Sequence, residues 1–210
     1  MPYLVFDVET TGLEPDYHEI IQIGAVLYDD RWDEISTYLT NVYPEHPERF
    51  AIPSAQVHEL TLADLEEAPM IHEMLEDFEE WLMEELNLST RSDLRRIVVC
   101  GQSVTTDINF LRFAYKKCQM SWEFSLRPLD LFVLSNFYFR ILKANGIHTP
   151  KSLSLKSVAA YFGMERQTET HNALEDAILT GRCLMLILKN AEKFRVDEQD
   201  LAFWEEEEYE

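Results

Sequence analysis

Cysteine is scarce in this chain: Cys100, Cys118 and Cys183 are an odd number, widely spaced, each inside an apolar or helical segment. That usage suits reduced, buried thiols in a cytosol-like compartment, and no zinc-ligand spacing exists. Long hydrophobic runs are missing too. None approaches a membrane span, and the opening Met-Pro-Tyr-Leu-Val-Phe-Asp carries no basic leader, so the expectation is a soluble, cytoplasmic protein with no membrane partner. Lysine and arginine are absent from residues 50–90, which hold 11 acids, and from 197–210, which hold 8. Residues 1–49 add 11 acids against 2 bases, whereas 91–196 hold 9 acids and 16 bases, net +7. The total of -21 therefore hides a basic second half, and attraction of a polyanion depends on such local charge more than on the sum. Solvated helix faces explain the same bases equally well. What is plentiful is core material: 46% hydrophobic and 12% aromatic residues specify a globular chain of one domain's size.

The stretch Leu4-Val-Phe-Asp-Val-Glu-Thr-Thr-Gly12 holds the most chemistry. On a strand Asp7 and Glu9 share a face with Val5, while Leu4, Phe6 and Val8 line the other. Two neighbouring carboxylates in so apolar a strand need a compensating cation or a strongly raised pKa, and oxygen-only ligands favour Mg²⁺ or Mn²⁺ over zinc. An edge strand with two solvated acids is the plainer alternative. Against it, the turn Thr10-Thr11-Gly12 leaves the acids at a strand end, where ligand sites of α/β sheets gather.

Further strands are expected at Glu19–Tyr28 and Glu34–Tyr43, joined through Asp29-Asp30 into an antiparallel meander. Pro44, Pro47 and Pro53 then interrupt the pattern, in a loop region whose Ala55–Thr61 part brings His58 beside the site or leaves it a partly buried or surface histidine. Met70–Leu88 is an amphipathic helix and Arg96–Gly101 a buried central strand. The helix Thr106–Lys117 places Asp107 in its first turn, as a dipole partner or as a third carboxylate over the same sheet edge. Leu126–Asp130 reads as a short strand, with Asp130 the N-cap of a helix reaching Leu142. Ser152–Phe162 is a helix stopped at Gly163, and a last helix runs from His171 through Asp176 to Leu188. Ala173, Ala177 and Gly181 allow it to pack closely on the sheet.

Taken together, Asp-x-Glu on the first strand, Asp after a central strand and His-x₄-Asp at a late helix resemble the DnaQ-like 3′–5′ exonucleases of the DEDDh type, including polymerase proofreading subunits. The matching segments are Phe6–Leu13, Gly101–Leu111, Leu153–Gly163 and His171–Ala177, spanning roughly residues 3–190. The resemblance implies a ribonuclease H-like α/β fold, a mixed central sheet of antiparallel meander plus parallel strands flanked by helices. It implies that Asp7, Glu9, Asp107 and Asp176 hold two divalent cations, Mg²⁺ or Mn²⁺, with His171 as general base. Thr10, Thr11, Gly12 and Leu13 would grip the terminal nucleotide of a single-stranded DNA or RNA 3′ end. Gln102, Ser103 and Thr106 depart from the family's usual residues there, which touches local positioning rather than ligation. The domain is expected over 1–196, with 197–210 a flexible acidic tail. Its Glu198–Phe203 looks like a sliding-clamp-binding peptide, and the tail's acids would otherwise solubilise the chain or compete with nucleic acid for the basic half. The opposed reading is a non-catalytic acidic adaptor bound to a polymerase or clamp.

Overall fold

Apolar strands this continuous form a sheet only if helices cover both faces. The computed structural model describes residues 1–167 and 172–194. It contains β1 (Tyr3–Thr10), β2 (Ile20–Tyr28), β3 (Glu34–Asn41), β4 (Val98–Gly101) and β5 (Leu129–Asp130) in the sheet order β3-β2-β1-β4-β5. Strands β1 to β3 are the antiparallel meander, and β1–β4 and β4–β5 are parallel. The ribonuclease H-like arrangement expected from the sequence is therefore present.

Alternation along β1 splits the core in two. Leu4 and Phe6 join the layer built on α2 (Ile71–Glu85) and α3 (Thr105–Lys117). Val5 joins the layer of α4 (Leu131–Ala144), α5 (Leu155–Tyr161) and α6 (Ala173–Ala191). Asp7 and Glu9 continue the Val5 face and so point towards α6. Helix α6 lies very close to the sheet. A Cβ on Gly24 would fall 2.0 Å from the Leu174 amide nitrogen, and one on Gly181 would meet the Tyr28 ring at 2.7 Å. Ala173 and Ala177 are fully buried between them.

Several boundaries move for local reasons. The proline-broken region contains a helix, α1 (Ile52–His58), because Pro53 sits in the first turn, where its missing N–H has no intrahelical acceptor to lose. Strand β5 starts only after Pro128, which has no N–H for the ladder. Strand β3 stops at Asn41 because Tyr43 turns away to donate its N–H to Pro69 and bridge to Met70. Helix α5 starts at Leu155 rather than at Ser152, and α6 at Ala173, with the side-chain oxygens of Ser154 and Asn172 as their caps. No helix among the described residues is long and apolar enough to cross a membrane. The proposed tail 197–210 and His171 lie outside the described residues.

Candidate metal centre

Four carboxylates from three elements converge at the end of β1. Asp7 and Glu9 come from the strand and Asp176 from α6, and single oxygens of these three lie within 4.8 Å of one another. Cross-strand pairing sets Asp7 opposite Gly24 and Glu9 opposite Gln22. Gly24 thus clears the space through which α6 brings Asp176 onto the strand acids. Gln22 fixes the approach, since its amide oxygen accepts from the Ala173 N–H at 3.0 Å while its amide nitrogen donates to Asn41 at 2.8 Å. Asp107 arrives from the opposite layer. Its carboxylate accepts from the Val8 N–H at 3.3 Å, between the two strand acids in sequence.

Asp130 is the N-cap expected from the sequence, accepting from the Phe132 and Val133 N–H groups at 2.8 and 3.3 Å. Its second oxygen also accepts from the Val104 N–H at 2.9 Å, tying the start of α4 to the start of α3. Gln102, one of the departures from the family pattern, donates to the Leu153 carbonyl at 3.0 Å, and Ser103 takes a left-handed φ of 54° in the turn into α3. Neither leaves Asp107 out of place.

The electrostatics are those of acids crowded out of water. Burial, then Asp107, Glu9 and Asp176, raise the Asp7 carboxyl well above its ordinary range. Burial, then Asp176 and Asp107, raise Glu9 to about 7. Burial lifts Asp107 to about 7 against two backbone hydrogen bonds that oppose it, with Asp130 adding to the rise. Relief comes from Arg166, in the segment between α5 and α6. Its Nε and one terminal nitrogen donate to the two Asp176 oxygens at 2.6 and 2.7 Å. Oxygen-only ligands, buried and in excess of their counter-charge, fit hard divalent cations and not thiophilic ones.

The Thr10–Leu13 turn lies beside these acids and is built rigidly. The Thr10 hydroxyl donates to the Gly12 carbonyl at 2.6 Å. Thr11 is fully buried, its hydroxyl accepting from the Glu19 N–H at 2.9 Å and its carbonyl from the Ala51 N–H at 2.8 Å. Gly12 is covered by His18, whose ring a Cβ would meet at 2.1 Å. Leu13 projects into solvent, 85% exposed. His58 is buried in α1, its Nδ1 accepting from the Leu60 N–H at 3.0 Å and its ring set edge-on to Phe50.

Gln22, Gly24 and Arg166 were not singled out by the sequence. Gln22 and Gly24 had one available signal, their place in an otherwise continuously apolar strand next to the acidic one. Arg166 had none beyond being a base five positions ahead of His171.

A mixed sheet with clustered carboxylates at the end of its central strand, closed over by a C-terminal helix, defines the ribonuclease H-like class of nuclease folds. The model of the family described as exonuclease (RNase_T) matches residues 4–184, and the chain belongs to that family. It is 29% identical over 193 residues to the PolC-type DNA polymerase III of Bacillus subtilis, covering 90% of this chain and 12% of that protein. It is 25% identical to the 3′-5′ exonuclease DinG of Staphylococcus epidermidis, covering 96% of this chain and 20% of that one. The chain thus spans a small part of these relatives. The nuclease domain of 3′hExo, a DEDDh family member solved bound to rAMP, superposes with a TM-score of 0.72 at 17% identity, over 93% of this chain and 96% of that one.

Proposed function

We propose that the chain is a metal-dependent 3′–5′ exonuclease acting on single-stranded 3′ ends, with DNA the favoured substrate. The observation that carries this reading is the convergence of Asp7, Glu9 and Asp176, with Asp107 hydrogen-bonded in alongside. Carboxylates brought so close at such burial repel one another unless cations sit among them. DNA is favoured because the relative of highest identity quoted above is a DNA polymerase.

In this reading Asp7, Glu9, Asp107 and Asp176 hold two Mg²⁺ or Mn²⁺ ions. When bound, such ions supply an activated water nucleophile at neutral pH and neutralise charge on both the attacking and the leaving oxygen. His171 would accept the proton of the attacking water as general base, the role that the family resemblance gives it. The Thr10–Leu13 turn receives the terminal nucleotide: its backbone groups face the sugar hydroxyl, and the exposed Leu13 side chain lies against the base. Asp130 and Gln22 hold α3 and α6 in the register that keeps the carboxylates together.

The test is a time course of the purified protein on 5′-labelled single-stranded DNA and RNA of equal sequence, with Mg²⁺ or Mn²⁺ and with Asp7→Ala in parallel. A ladder shortening from the 3′ end, absent in the folded variant, is the expected result, and its rate on each polymer selects the sugar. Substrates left intact under every metal overturn the catalytic reading.

A further inference from the structure

The contact that the two-metal reading does not require is the one made by Arg166. Its guanidinium grips both oxygens of Asp176 in a fork, at 2.6 and 2.7 Å, with the two side chains 17% and 6% exposed. A bidentate pair so shielded is strong and geometrically specific. The segment that carries Arg166 is itself fastened to α6, because the Gln167 N–H donates to the Glu175 carboxylate. Met164 is anchored behind it through an N–H bond to the Ala159 carbonyl at 2.9 Å. Arg166 is therefore held against the acid rather than reaching it as a solvated chain.

This arrangement conflicts with a loaded centre. A divalent cation among Asp7, Glu9 and Asp176 must approach an Asp176 oxygen to about 2.0–2.1 Å for Mg²⁺, with strict geometry. Guanidinium nitrogens already lie within 3 Å of both those oxygens, and a fixed positive charge at that distance repels an incoming dication.

We propose that Arg166 is the internal counter-cation of the metal-free centre, competing with a divalent cation for Asp176 and released from it when the ion loads. The inference rests on the metal reading of the same four carboxylates. Arg166 stabilises the empty site and lowers its apparent metal affinity by the population of the paired state.

The test is calorimetric titration of the full chain with Mn²⁺, comparing wild type with Arg166→Gln and Arg166→Lys, together with melting curves in chelator and in saturating Mn²⁺. Arg166→Gln should bind Mn²⁺ at least about tenfold more tightly. It should melt lower than wild type without metal and gain more from Mn²⁺. Arg166→Lys, which cannot fork, should fall between. Affinity in a folded Arg166→Gln that is unchanged or weaker overturns the proposal. If wild type binds no Mn²⁺ while Arg166→Gln does, the competition stands in its extreme form. If neither binds, the metal reading itself falls and the competition falls with it.

Discussion

Substituting Gly24 by alanine tests the architecture that brings Asp176 to the strand acids. The added Cβ would lie 2.0 Å from the Leu174 nitrogen, 2.2 Å from the Ala173 carbonyl carbon and 2.4 Å from the Leu174 Cα, all of them main-chain atoms. Ordinary contact begins near 3.4 Å, so the first turn of α6 must retreat by about 1.4 Å, because no flexible side-chain end is available to yield. Overpacking of this kind costs about 1–3 kcal/mol, and the rigid obstacles place Gly24→Ala at the upper end. The site should suffer more than the fold. Asp176 lies two to three residues beyond the displaced ones, in the same first turn of α6, and metal-ligand distances tolerate only about 0.2 Å. Mn²⁺ affinity should therefore drop by about tenfold or more. Urea unfolding and Mn²⁺ calorimetry on the same preparation measure both effects. Gly146→Ala is the control: its φ of 73° strains a side chain but its surroundings are open, so about 1 kcal/mol of stability should go with metal binding intact. Wild-type stability and Mn²⁺ affinity in Gly24→Ala would refute the close approach of α6 as the origin of the site.

Without metal, stability should fall as pH rises. Glu9 and Asp107 have ordinary values of 4.5 and 3.8 and folded-state values of about 7, so their protonated forms favour the fold fully below about pH 4 and that contribution is lost through pH 7. Apparent Mn²⁺ affinity should climb over the same interval, because binding demands the ionised acids, and opposite slopes in melting and titration series would check both. Leu13→Ala removes a side chain that is 85% exposed, so unfolding free energy should move by less than about 0.5 kcal/mol. The same variant should show a raised KM on single-stranded substrate with a smaller change in kcat; an unchanged KM removes Leu13 from substrate contact. Arg91→Ala strands the buried Glu79 carboxylate, which now accepts a forked pair at 2.5 and 2.8 Å. With Arg91 itself 41% exposed, water partly replaces it, and a loss of about 1–2 kcal/mol in urea unfolding is expected, with Mn²⁺ binding unaffected.

How much of this centre could be read in advance follows from which forces act locally. Strand alternation is a local rule, so the shared face of Asp7 and Glu9 and its opposition to Leu4 and Phe6 were legible from nine residues. Asp130 as a helix cap was legible for the same reason, since the cap bonds lie two and three residues away. Its other bond, to the Val104 N–H, spans 26 positions and left no trace in the pattern around it. The small residues of α6 announced close packing, but not that Gly24 was the surface they pack on, because β2 is buried along its whole length and a glycine there interrupts no periodicity.

Arg166 marks the limit more sharply. A base in a polar stretch between two helices is ordinarily a solvated chain, and its charge said nothing about which acid it would meet. Only the fold, by clamping the segment through Gln167 and Glu175 and by burying Asp176 beneath it, turns that arginine into the partner of a candidate metal ligand. The acids of the site are declared by residue type and spacing because their chemistry demands both. The arginine that pairs with one of them needs only to arrive, and arrival is a property of tertiary structure.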